Sequence, residues 1–196
     1  MTIQKNDRQK QAQLLRVFRK VHRLTGAFLF VFFFFVSISG LLLGWKKHTG
    51  GVILPKTQKG TSTDMKTWLP LDTLNTLAQK ALISEVSDEV GHELDRIDVR
   101  QSKGILKFTF KDNFWEVQLD GATGDVLSVA IRRSDFFENV HDGTVLDTIF
   151  GTSNGELKLI YSTTMGLALL TFTITGFWLW YGPKRMRKSK KRVAVG

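Results

Sequence analysis

Two stretches of this 196-residue chain carry no charged side chain over a length that can cross a bilayer, and they constrain the fold more than anything else in it. The first, Leu24 to Trp45, is 22 residues of mostly Phe, Leu, Val and Gly. At a helical rise of ~1.5 Å per residue it covers a hydrocarbon core of ~30 Å. The second, Leu159 to Tyr181, is 23 residues and closes on Phe177, Trp178, Trp180 and Tyr181, the aromatic belt favoured at a headgroup layer. Both are read as transmembrane helices. Mean hydropathy is only −0.08 because a polar segment, enough for one small domain, lies between them.

The net charge of +10 is unevenly placed. Residues 48–156 hold 17 of the 18 carboxylates against 11 Lys and Arg, a net of −6. Lys5, Arg8, Lys10, Arg16, Arg19, Lys20 and Arg23 precede the first span, and KRMRKSKKR follows the second. The positive-inside rule then puts both termini in the cytoplasm and the central segment outside, with Lys46 and Lys47 outvoted. Basic ends flanking apolar spans suit anionic lipid headgroups, so no nucleic-acid partner is expected. The first run is too long for a secretory signal and no small-residue cleavage site follows it, so it is read as an anchor. The absence of cysteine excludes disulfides, thiolate metal sites, cysteine-ligated clusters and covalent c-type haem attachment.

The expected division is a basic cytoplasmic N-terminus at 1–23, a span at 24–47, an outer domain at 48–156 with an interfacial segment at 134–156, a second span at 157–182 and a basic tail at 183–196. Within the outer domain, LPLDTLNTLAQKAL spaces Leu71, Leu74, Leu77, Ala78, Ala81 and Leu82 by threes and fours, which predicts an amphipathic helix with Pro70 in its first turn. DRIDVRQ, GILKFTFKD, FWEVQLD and DVLSVAI alternate apolar and polar residues between turn signals, which predicts three or four antiparallel strands. Ile105, Phe108 and Phe110 fall partly out of alternation, leaving open which face each covers. The fold class is an integral membrane α+β protein, two transmembrane helices flanking one extracytoplasmic domain in which a helix covers one face of an antiparallel sheet.

IDVRQSKGILKFTFKDNFWEVQLDGATGDVLSV resembles a PepSY repeat, whose D-x-x-T-G-x-V-L ending is present as Asp120, Thr123, Gly124, Val126 and Leu127. RKVHRLTGAFLF, HDGTVLDTIFG and TITGFWLWYGPKR resemble the PepSY-associated transmembrane family, and the likeness covers nearly the whole chain. Four-helix members of that family include inner-membrane reductases of iron-siderophore complexes that carry b-type haem between histidines. The resemblance therefore implies a bacterial inner-membrane location, haem b and electron transfer. With two spans and one PepSY unit, this chain resembles half of such a protein, so a homodimer would restore four helices.

The candidate haem ligands are His22, His48 and His141. A b-type haem needs only axial imidazoles, which two helix ends or a helix end and a loop can supply. Counting ~100° per residue from His22, Gly26, Leu29, Phe33, Gly40 and Gly44 fall within about 40° of one line, with Ser37 and His48 within about 80°. That stripe serves either helix packing or contact with a porphyrin face. His22 is either an ordinary interfacial residue or, across a two-fold axis, a ligand to a haem shared with its copy. His48 and His141 are the expected outer axial pair, with Asp142 a candidate acceptor for the other ring N–H of His141 or simply a turn starter. The segment around His141, with Phe136, Phe137, Val140, Val145, Leu146, Ile149 and Phe150, is expected to rest on the membrane surface. His92 in GHELDR lacks the second histidine of a zinc-protease helix and is read as a solvated loop residue.

His22 and His48 are 26 residues apart, ~39 Å along a helix, so one haem cannot bridge them. Two haems, one near each face, would pass electrons to an acceptor held by the outer domain, with Arg132 and Arg133 candidates to attract an anionic ferric chelate. The rival expectation is a cofactor-free tethered module that binds a secreted enzyme or transport complex through an exposed strand edge.

Overall fold

The computed structural model describes residues 2–194, with side chains for 9–187; the side chains of Lys5 and Arg8 and of the tail from 188 onward lie outside the described residues. The chain divides into two compact units, one of residues 39–139 and one of residues 1–38 with 140–196.

The unit of residues 39–139 is a helix on a sheet. α2 (Leu71–Glu85) begins immediately after Pro70, whose carbonyl accepts the N–H of Leu74. Four strands follow, β1 (Leu94–Arg100), β2 (Ile105–Phe110), β3 (Trp115–Asp120) and β4 (Val126–Ile131), paired antiparallel in sequence order. Leu74, Ala78, Ala81 and Leu82 on one stripe of α2 are buried against Leu106, Phe108 and Phe110 of β2 and Val117 and Leu119 of β3. Each large apolar side chain removed from water there contributes about 1.5–3 kcal/mol.

Alternation in β2 and β3 is hidden because both faces are covered. Every residue of β2 is buried, and so is all of β3 after Trp115. Opposite α2 the face is polar: Lys107, Thr109, Glu116, Gln118 and Asp120 are buried there beside Ile105. An extended strap following the first helix covers it. Gln118 binds that strap like a neighbouring strand, accepting the N–H of Gln58 at 2.9 Å and donating to the Lys56 carbonyl at 3.0 Å. The Asp120 carboxylate accepts the N–H of Thr61 at 2.7 Å, and Gly60 donates to the Lys103 carbonyl at 2.8 Å. Burial pushes the Asp120 carboxyl up, but N–H donors from Ala122, Thr61 and Thr123 overcome it and hold the group below the ordinary aspartate value.

The other unit is built on most of α1 (Thr2–Trp45) and on α5 (Glu156–Ala194), with the end of α3 (Arg133–Asp142) and α4 (Thr144–Phe150) ahead of α5 in the chain. Both long helices contain segments long and apolar enough to cross a membrane, and only about a tenth of each segment is buried. Phe28 and Leu24 are 79% and 65% exposed, a surface that suits lipid rather than water. Asp147 of α4 accepts the backbone N–H groups of Leu157 and Lys158, so it caps the first turn of α5 from outside that helix.

Candidate functional site

His22 is half-buried on the face of α1 that meets α5. Its Nδ1 lies 2.9 Å from the hydroxyl oxygen of Thr175, and its ring stands 4.2 Å from that of Phe172, tilted by 55°. Around it, Phe18 meets Trp178 edge-on at 6.2 Å and Phe33 meets Phe172 at 5.3 Å. A Cβ on Gly26 would sit 3.0 Å from Phe172 Cζ, so the missing side chain admits that ring. The stripe that begins His22, Gly26, Leu29, Phe33 is therefore, over that stretch, the packing face of α1 against α5; Leu29 on it is buried. Farther along, Gly44 has nothing within 4 Å of a Cβ position.

His141, near the end of α3, is also half-buried, and its Nδ1 lies 3.2 Å from the carbonyl oxygen of Val36. The contact falls within the apolar run of α1. Asp142 does not receive the His141 ring: its carboxylate accepts the N–H and hydroxyl of Thr144 at 3.0 and 2.7 Å and pairs with Lys158 at 2.5 Å. It starts the turn into α4. Burial raises the Asp142 carboxyl, and Lys158 and Thr144 overcome that and hold it below the ordinary value. Along α1 the positions of His22 and Val36 are 14 residues apart, ~21 Å of rise, so His22 and His141 cannot be the two axial ligands of one haem in one chain.

His48 is exposed in the turn that follows α1, its backbone N–H donating to the Trp45 carbonyl at 2.7 Å. His92 is exposed in the loop before β1, where its carbonyl accepts from Gln79. Of the two arginines expected to draw in an anionic chelate, Arg132 is otherwise engaged, whereas Arg133 stays exposed. Arg132 is tied to Glu116 and, at 3.0 Å, to Asp135, and Arg133 donates to the Val52 carbonyl at 2.9 Å. Burial lowers the Arg132 guanidinium, and Asp135 with Glu116 reverses that and raises it. A guanidinium held between two carboxylates has little left for an incoming anion. Among the described residues, no three of His, Asp and Glu converge as a metal cage.

The family model described as the PepSY-associated TM region matches residues 19–195. The chain belongs to the PepSY-associated TM family. That membership agrees with the two apolar helices and marks it as a membrane protein. No curated protein matches the chain. The match takes in His22, His48 and His141 together with Thr175 and Phe172.

Thr175 and Phe172 are the residues that the sequence reading missed. A signal was present: Thr171 and Thr175 are four apart inside an apolar run, and a hydroxyl there must find a partner.

Proposed function

We infer that this PepSY-associated TM protein is a b-type haem protein that passes electrons across the inner membrane to an extracytoplasmic acceptor, in the reduction of a ferric siderophore or an equivalent iron complex. The observation that carries the reading is His22, an imidazole inside the helix pair whose ring is held on one side by Thr175 and on its face by Phe172. An imidazole held between two helices at the membrane boundary, rather than left to solvent, is a candidate functional side chain.

The donor chemistry fits the cofactor. Haem iron brings four porphyrin nitrogens and asks the protein for one or two imidazoles, so single histidines suffice. When bound, haem supplies one-electron transfer. His22 of two copies would bind on the cytoplasmic side across a two-fold axis, and Phe172 orients the ring by packing against it. The outer ligands would come from His141 and His48, within or between subunits; the carbonyl of Val36 orients His141 by accepting from its Nδ1. The basic flank up to Arg23 and the basic tail favour cytoplasmic termini.

The test is anaerobic. The full-length protein, purified from haem-replete membranes and reduced with dithionite, is mixed with a ferric hydroxamate chelate while the visible spectrum is followed. The reading expects a b-type band that returns to the oxidised form on mixing. A band that stays reduced removes the proposed acceptor.

One observation favours the rival reading of a cofactor-free binding module. The edge strand β1 carries Asp95, Arg96, Asp98 and Arg100, whereas the opposite edge β4, Val126–Ile131, carries no charge to oppose an added strand. A colourless preparation would leave that reading standing.

A further inference from the structure

The hydroxyl of Thr175 has one proton, and its surroundings decide where that proton goes. Thr175 is 3% exposed. Its Oγ1 lies 2.6 Å from the carbonyl oxygen of Thr171 and 3.3 Å from that of Phe172. Carbonyl oxygens only accept, so the hydroxyl donates along its own helix. It then faces His22 Nδ1, 2.9 Å away, with a lone pair. The nitrogen opposite a lone pair must carry hydrogen, and in a neutral imidazole the other ring nitrogen, Nε2, is then the basic one.

We propose that Thr175 is the positioning residue for His22: its hydroxyl, turned by the Thr171 carbonyl, fixes the Nδ1–H tautomer and so makes Nε2 the metal-binding nitrogen. The role as a ligand rests on the haem reading above; the tautomer does not. Phe172 completes the control of the ring, since its contact at 4.2 Å limits rotation about the line from Cβ to the imidazole. His141 shows the same logic with a different acceptor. The carbonyl of Val36 can only accept, so a hydrogen bond from the Nδ1 of His141 to it places hydrogen on that nitrogen too. Thr175 is the partner that mutation can test. Acceptors that hold the second nitrogen of a ligating histidine raise its basicity and fix its direction, and their loss weakens metal binding about 10–100-fold.

The experiment uses full-length protein in detergent micelles, labelled with nitrogen-15 at histidine and prepared both without and with haem, at about pH 8 where an ordinary imidazole is neutral. In the haem-free wild type, His22 should show a protonated Nδ1 and an unprotonated Nε2. Thr175→Val, which keeps the volume and removes the acceptor, should turn that pattern into a mixture of tautomers and lower haem affinity about 10–100-fold. Thr175→Ser should restore both. An Nε2–H pattern in the wild type overturns the proposal, as does a Thr175→Val protein with wild-type tautomer and haem affinity. A wild type that takes up no haem yet shows Nδ1–H, lost in Thr175→Val, removes the haem reading and leaves the tautomer assignment in place.

Discussion

Asp147 accepts the backbone N–H of Lys158 at 2.9 Å, eleven residues along the chain, and through this bond α4 holds the first turn of α5. The same carboxylate accepts the N–H of Leu157 and the hydroxyl of Thr152, so three donors converge on it at the positive end of a helix dipole. The Thr152 hydroxyl, then the Lys158 and Leu157 amides, hold its carboxyl below the ordinary aspartate value against the opposing effect of burial. A carboxyl with a lowered folded pKa stabilises the protein fully above its unfolded value of about 3.9 and loses that contribution as pH falls through the folded value. Asp120 has the same sign. Thermal melts of the full-length protein in detergent should therefore hold steady from neutral pH to about 5 and fall below about 4. Asp147→Ala should melt lower at neutral pH and lose less on acidification; a wild type whose melting point rises in acid contradicts this.

Beneath the strap, Glu116 is fully buried between Lys107 at 3.2 Å, Gln118 at 2.7 Å and Arg132. Removing the shared anion leaves two cations facing each other in a buried site. Glu116→Ala should cost about 3–5 kcal/mol. Lys107→Met should cost less, because Glu116 keeps Arg132 and Gln118. Near-UV circular dichroism during thermal unfolding reports the order, and Lys107→Met as the more damaging change would contradict the network as drawn.

The side-chain amide of Gln118 stands in for a strand backbone, and its loss should free the strap before it unfolds the sheet. Gln118→Ala removes its two hydrogen bonds to the strap, about 1 kcal/mol each, together with the one it donates to Glu116. Lys56 and Lys59 have exposed side chains on a backbone that Gln118 and Lys103 hold down. Limited trypsin digestion should cut after them roughly 5–30 times faster in the variant. Equal rates would mean that the strap is held by other contacts.

Gly60 lies where the strap crosses the β1–β2 turn, and a Cβ there would stand 2.3 Å from the carbonyl oxygen of Gly104. The obstacle is backbone, which cannot rotate away. Gly60→Ala should destabilise by about 1–3 kcal/mol, the usual effect of overpacking, and raise the exchange rate of the Gly60 amide. A melting point equal to that of the wild type would show that strap and turn separate without cost.

The parts of this protein that local pattern determines are legible in its sequence. An uncharged run of 22 residues becomes part of α1, and the spacing of Leu74, Ala78, Ala81 and Leu82 becomes the buried stripe of α2. What escaped depends on partners far away in sequence. The polar face of β2 and β3 reads as a solvent face until an aperiodic strap covers it, which is why Ile105 looked out of register with Phe108 and Phe110. His22 was legible as an imidazole at the cytoplasmic boundary of the first span, but Thr175 is 153 residues away. His141 meets a backbone carbonyl, and a carbonyl leaves no mark in sequence. Arg132 reads as a free surface cation until Glu116 and Asp135 are seen beside it.

Haem content per polypeptide, measured as the pyridine haemochrome on wild-type and His22→Ala protein purified side by side, decides whether His22 holds a haem iron. The expected result is b-type haem in the wild type and a clear fall in the variant, with the folded protein otherwise retained. A wild type without haem, or a His22→Ala protein with the full wild-type content, would contradict it.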